Sequence, residues 1–109
     1  MVPSTAKDGY TMHAHLKLRH VGSGSGHGAC PAVYAADTGE LVIQGDITDR
    51  TGTVLVPHRM LDWLEPGMSL PAEAADVPGK FLVSGEQVTA PEVLAQLTLD
   101  DHETAVVVR

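Results

Sequence analysis

Residues 39–67 of this 109-residue chain read GELVIQGDITDRTGTVLVPHRMLDWLEPG. The apolar run from Glu40 to Ile47 is followed by a polar turn at residues 49–52 and a β-branched run from Thr53 to Val56. This pattern predicts two strands joined by a turn. Pro57 favours a helix start, and apolar residues recur at positions 60, 61, 63 and 64 before Pro66 and Gly67. The stretch therefore predicts a strand, a turn, a strand and a short amphipathic helix.

The flanking sequence predicts further short elements of the same kind. Alternation between residues 10 and 20 and an apolar run at residues 30–36 predict two strands before the central stretch. Residues 80–84 and 104–108 predict two strands after it, separated by a short helix that begins at a capping box near Thr89. The Pro- and Gly-rich residues 66–79 predict an irregular connection. Leu41, Ile43 and Ile47 are expected to share one buried side.

These elements predict a single α+β domain over residues 10–109, preceded by a flexible tail at residues 1–9. We expect an antiparallel sheet of five to six strands, arranged as a meander, with two short helices. Aromatic residues make up only 4% of the chain, so the core is thin for a domain of this size. A thin core favours self-association, and a homodimer is the expected form.

The charge of the chain narrows the classes of partner. The formal net charge is −7 at pH 7, and an acidic surface repels phosphate, so direct binding to nucleic acid is not expected. A basic protein partner suits such a surface better. A single cysteine and the absence of a signal-peptide pattern or a membrane-length apolar run predict a cytoplasmic protein.

The N-terminal third contains a possible metal-binding set. His13 and His15 are two residues apart and would project from the same face of a strand. His27 and Cys30 follow after a Gly/Ser-rich loop and add an imidazole and a thiolate. Four such ligands suit zinc. A metal- or small-ligand-binding protein is therefore the alternative function, with zinc as its cofactor, whereas the leading interpretation needs no cofactor.

No sequence motif demands catalysis. The Gly/Ser-rich loop lacks the spacing of a dinucleotide fingerprint and the Gly-Lys-Ser/Thr of a phosphate-binding loop. It is also not a nucleophile elbow, because no helix is expected after it. We predict a protein that is not an enzyme, although an active site assembled between subunits stays open as a third alternative.

Four residues are the expected partner contacts. Asp46 and Asp49 flank a polar turn, and Arg59 lies on the outward side of the predicted helix. Trp63, on that helix, has two interpretations: an anchor that packs the helix on the sheet, or an exposed aromatic side chain that binds a partner.

Residues 22–64 resemble the BldB-like proteins, a small actinobacterial family encoded beside helix-turn-helix regulators of the WhiJ type. The resemblance rests on the Gly/Ser-rich loop at residues 22–26, Cys30 opening a strand, the polar signature ending at Asp46, and the apolar strand that leads to Trp63. It implies a small non-catalytic regulatory protein in development or antibiotic production. Such a protein would act by contacting a helix-turn-helix transcription regulator, or itself.

Overall fold

The structure is a computed structural model that describes residues 16–24 and 31–109. These residues form eight strands and two short helices. The strands are β1 (Leu18–Ser23), β2 (Ala32–Ala36), β3 (Leu41–Ile47), β4 (Thr53–Pro57), β5 (Ala72–Ala74), β6 (Lys80–Ser84), β7 (Glu86–Gln87) and β8 (Glu103–Val108). The helices are a six-residue 3-10 helix (His58–Trp63) and a four-residue α-helix, α1 (Pro91–Leu94). Neither helix is long and apolar enough to cross a membrane.

The prediction of an α+β fold with five to six strands is wrong, because the described chain is mostly antiparallel β-sheet. Its helices are too short to form a layer of their own. Two strands were also missed: β5 lies within residues 66–79, predicted as irregular, and β7 has only two residues. Neither strand has an apolar alternation long enough to detect, and each exists because a neighbouring strand supplies its hydrogen bonds.

Strand β3 is the centre of the sheet. One of its edges pairs with β8 along residues 41–46, whereas its other edge is shared between β2, at residues 41–44, and β4, at residues 46–47. The change of partner falls at Gly45. A Cβ atom there would lie 2.6 Å from Cγ1 of Val56 and 2.8 Å from the carbonyl oxygen of Leu55, so only glycine allows β4 to cross this closely.

The sheet therefore curves, and its two halves enclose the first core. Strands β2, β3 and β8 face β4, β6 and the 3-10 helix across this core. Its buried residues are Val33, Leu41, Ile43, Val54, Val56, Met60, Phe81, Val83, Val106 and Val108. The predicted burial of Leu41 and Ile43 on one side is confirmed, but Ile47 is 54% exposed. Ile47 lies at the end of β3, beyond the last residue pair with β8, so none of the described layers covers it.

A second core covers the opposite face of the same central strands. Its buried residues are Leu16, Ala32, Tyr34, Ala36, Val42, Val88, Val93, Ala105 and Val107, with Leu94 and Leu97 packed against it. The predicted capping box is wrong: the N-cap residue is Ala90, and no side chain caps α1. Strand β8 is apolar on both faces, so it can contribute Val106 and Val108 to the first core and Ala105 and Val107 to the second.

The first helix also differs from its prediction. It is a 3-10 helix, in which residues three apart share a face, so Met60 is fully buried and Trp63 packs partly against the first core. Leu61, expected in the apolar stripe, is 46% exposed for the same reason. Arg19 of β1 donates two hydrogen bonds to Glu65, at 2.7 and 2.9 Å. These bonds lower the pKa of Glu65, desolvation opposes the shift, and the charge of Arg19 adds to it.

Candidate functional site: the acidic end of the sheet

Asp46 lies where three strands meet. It is the penultimate residue of β3, paired with Leu55 of β4 on one side and Glu103 of β8 on the other. Its carboxylate is partly exposed and makes one long ion pair, at 3.7 Å to Nζ of Lys80, while Nε2 of His102 lies 3.7 Å from its other oxygen. Both distances exceed a normal hydrogen bond, so neither side chain is tightly bound to Asp46.

Two acidic turns are held side by side next to Asp46. The backbone N–H of Ile47 donates a 2.8 Å hydrogen bond to the carbonyl oxygen of His102, which places the turn before β8 against the end of β3. The β3–β4 turn is closed by Thr48, whose hydroxyl donates to the carbonyl oxygen of Thr53 at 2.9 Å. We define the acidic end as the surface formed by Asp46, Ile47, Asp49, Asp100 and Asp101.

Beneath this surface lies a buried polar pair. Glu103 is 4% exposed and Gln44 is fully buried. Oε1 of Glu103 accepts hydrogen bonds from the backbone N–H of Asp100, at 3.0 Å, and from Nε2 of Gln44, at 3.3 Å. Nε2 of Gln44 also donates to the carbonyl oxygen of Thr98 at 2.7 Å. Oε2 of Glu103 and Oε1 of Gln44 are buried without a hydrogen-bond partner in the described part of the chain.

A shallow cleft borders the acidic end. Its volume is about 270 Å³, slightly below the usual range for small-ligand pockets. Its lining combines apolar and charged residues. Its lining residues are Pro31, Asp46, Leu55, Pro57, Arg59, Lys80 and His102. The predicted contacts Asp46 and Arg59 therefore line the same cleft, although they are distant in sequence.

The other predicted contacts lie elsewhere. Asp49 is exposed on the β3–β4 turn and lines a separate depression of about 190 Å³ with Gln87 and Thr104. Trp63 packs partly against the first core, and its Cβ would lie 2.6 Å from a Cβ atom added to Gly22. Of its two interpretations, the geometry favours the anchor, because the indole rests on β1. The metal-binding set of His13, His15, His27 and Cys30 lies outside the described residues.

Two residues of the site, His102 and Glu103, were not predicted from the sequence. The stretch Asp100-Asp101-His102-Glu103 has the composition of a solvated turn, which hides the burial of Glu103. A signal was present, because Glu103 alternates with the apolar Ala105 and Val107 on one face of β8. That alternation indicates that its side chain points inward.

Comparison of the chain with protein families, with curated proteins and with solved structures found no match. The resemblance to the BldB-like family therefore stays a prediction. The functional argument rests on the geometry of the acidic end and of the buried carboxylate beneath it.

Proposed function

We propose that this chain is a small non-catalytic regulatory protein that binds a basic protein partner through its acidic end. The observation that carries the proposal is the position of Ile47. Its side chain is 54% exposed between two Asp-bearing turns, and the hydrogen bond from its N–H to His102 holds those turns together. An exposed apolar side chain beside several carboxylates is suited to a partner of opposite charge.

Acidic side chains outnumber basic side chains at this end. Asp49, Asp100 and Asp101 are exposed, and Asp46 is partly exposed. Three cationic side chains lie nearby: Lys80 pairs with Asp46, Arg50 pairs with Glu73, and Arg59 lines the cleft beside Asp46. With a formal net charge of −7 for the whole chain, the field at this end attracts a cationic surface and accelerates encounter. The partner's basic side chains would pair with the aspartates at the rim, and an apolar residue would cover Ile47.

The resemblance to the BldB-like family supports a particular class of partner. A helix-turn-helix transcription regulator carries a basic face, and the acidic end would contact that face or a basic segment beside it. Under this proposal the protein acts in the cytoplasm and contacts nucleic acid only through its partner. Self-association is part of the proposal, since β6 is the one strand partner of β5 among the described strands, which leaves the other edge of β5 unpaired among them.

Site-specific photo-cross-linking tests the surface directly. A photoreactive amino acid replaces Ile47 in one variant and Leu61 in the other. Both side chains are exposed and aliphatic. Position 47 reports contacts of the acidic end, and position 61 reports contacts of the 3-10 helix. We expect position 47 to cross-link a basic protein in the producing cell and position 61 to cross-link none. Raising the salt concentration should reduce cross-linking of the basic partner from position 47, since exposed charge pairs are screened.

A matched variant separates charge from shape. Replacing Asp49, Asp100 and Asp101 with asparagine keeps the size of the side chains and should abolish the cross-link from position 47. Cross-links that form from position 61 alone, or that join position 47 to an acidic protein, would contradict the proposal.

A further inference from the structure

We propose that Asp46, His102 and Glu103 form a binding site for one divalent transition-metal ion, with zinc as the reference ion. One ligand atom from each residue can be chosen so that the three atoms lie within 4.8 Å of one another. One imidazole nitrogen and two carboxylate oxygens are a donor set that zinc accepts. This site is separate from the N-terminal histidines and cysteine, and it does not depend on the partner proposed above.

The buried carboxylate of Glu103 is the strongest reason for a cation here. One of its oxygens accepts two hydrogen bonds, whereas the buried Oε2 has no donor among the described residues. A buried carboxylate is costly unless a charge or a full set of hydrogen bonds compensates it. Asp46, its neighbour across the β3–β8 ladder, adds a second negative charge to the same place. A divalent cation would compensate both carboxylates at once.

The backbone already holds the three ligands in place. Asp46 and Glu103 are direct partners in the β3–β8 ladder, so their side chains leave the same face of the sheet. His102 precedes Glu103, and its carbonyl oxygen is bound by the N–H of Ile47 at 2.8 Å. Ligands at about 2.1 Å around a tetrahedral zinc are roughly 3.4 Å apart. Small side-chain rotations therefore suffice, without movement of the strands.

The present contacts of Asp46 are loose enough for a metal ion to replace them. Lys80 and His102 each lie 3.7 Å from one of its carboxylate oxygens, which is too far for a hydrogen bond. Metal binding would draw in the imidazole and release the ammonium group of Lys80. Asp46 and His102 also line the cleft, so the fourth coordination position would face the cleft and accept water or a ligand.

Zinc binding to the chelator-treated full chain tests the site. We expect one zinc ion per chain by competition with a chromophoric chelator, and a rise of several degrees in the unfolding temperature. His102→Ala, which removes a mostly exposed side chain and should not impair folding, is expected to weaken binding by about tenfold or more. Asp49→Asn, on the neighbouring turn, should bind zinc as the wild type does.

Glu103→Gln provides the second readout. The amide keeps the shape of the carboxylate and removes its charge, so the metal-free variant should be at least as stable as the metal-free wild type. Zinc should then give it no increase in unfolding temperature. A chain in which alanine replaces His13, His15, His27 and Cys30 should retain the zinc-dependent increase.

Three results would each overturn the site. The first is no zinc uptake by the wild type. The second is zinc binding that survives His102→Ala. The third is a zinc-dependent increase that disappears with the four N-terminal substitutions. None of them bears on the cross-link from position 47, so the two proposals fail independently.

Discussion

At the scale of single residues, Gly45 determines how the sheet can fold on itself. Ile43 and Val42 of the same strand point into the first and second cores, and at Gly45 itself atoms of β4 occupy the space that a Cβ atom would need. The close approach allows β4 to leave the edge that β2 uses and to cover the first core. A larger residue would separate the two halves of the sheet.

We expect Gly45→Ala to destabilise the fold by about 3 kcal/mol, because the added methyl group overlaps Val56 and the carbonyl oxygen of Leu55. Gly39→Ala is the control. Gly39 has a φ of +94° with nothing within 4 Å of an added Cβ, so its cost is backbone strain of about 1 kcal/mol. Urea unfolding measures both. Equal losses would show that β4 can move aside without cost.

At the scale of elements, a single glutamine joins the N-terminal segment to the helical end of the molecule. The amide of Gln96 accepts a 2.9 Å hydrogen bond from the N–H of Leu18 and donates a 2.7 Å hydrogen bond to the carbonyl oxygen of Leu16. The side-chain amide of Gln96 thus supplies backbone hydrogen bonds to Leu16 and Leu18 that a neighbouring strand would otherwise supply. The contact keeps Leu16, which is 1% exposed, inside the second core.

Gln96→Ala should therefore loosen residues 16–18 while the central strands stay protected. We expect a loss of about 1 kcal/mol, because water can replace part of the lost bonding at this exposed position. Amide exchange at Leu18 should accelerate, with Val106 in β8 unchanged. Lys17→Ala replaces an exposed side chain in the same segment, and it should change neither the stability nor the amide exchange of Leu18. Faster exchange throughout β8 would instead indicate that Gln96 stabilises the whole fold.

At the scale of the whole molecule, three layers share one set of central strands. Strands β2, β3 and β8 face the β4–β6 half of the sheet on one side and the segment around α1 on the other. Exposed aspartates lie where these layers end, at the β3–β4 turn and the turn before β8. Repulsion among these carboxylates opposes the folded state at low ionic strength.

Stability at pH 7 should accordingly rise as salt is increased from about 10 mM to about 150 mM, since the Debye length falls from about 30 to about 8 Å. Replacing Asp49, Asp100 and Asp101 with asparagine should flatten this dependence. Thermal unfolding at several salt concentrations provides the measurement. A fall in stability with salt would mean that ion pairs such as Arg19 with Glu65 outweigh the repulsion.

Much of the strand arrangement follows from local sequence. The strands at β2, β3, β4, β6 and β8 were predicted within two residues of their observed ends, because β-branched runs and polar turns are local signals. The predicted fold class gave the helices too much importance, because the apolar stripes after Pro57 and Pro91 form helices of only six and four residues. Ile47 was placed in the core because its alternation is correct, although no layer reaches that far.

The candidate site also contains residues that the sequence could identify and residues that only the structure could. Asp46 and Asp49 could be chosen from their positions in a polar turn, and the net charge already indicated a basic partner. Their association with His102 and Glu103 could not, because it depends on the pairing of β3 with β8, about 60 residues later in the chain. Sequence alone thus determined the strands, the turns and the sign of the charge, which are local properties. Only the tertiary structure decided which turns meet, which carboxylate is buried and which isoleucine is exposed, because strand register and layer packing arise between distant segments.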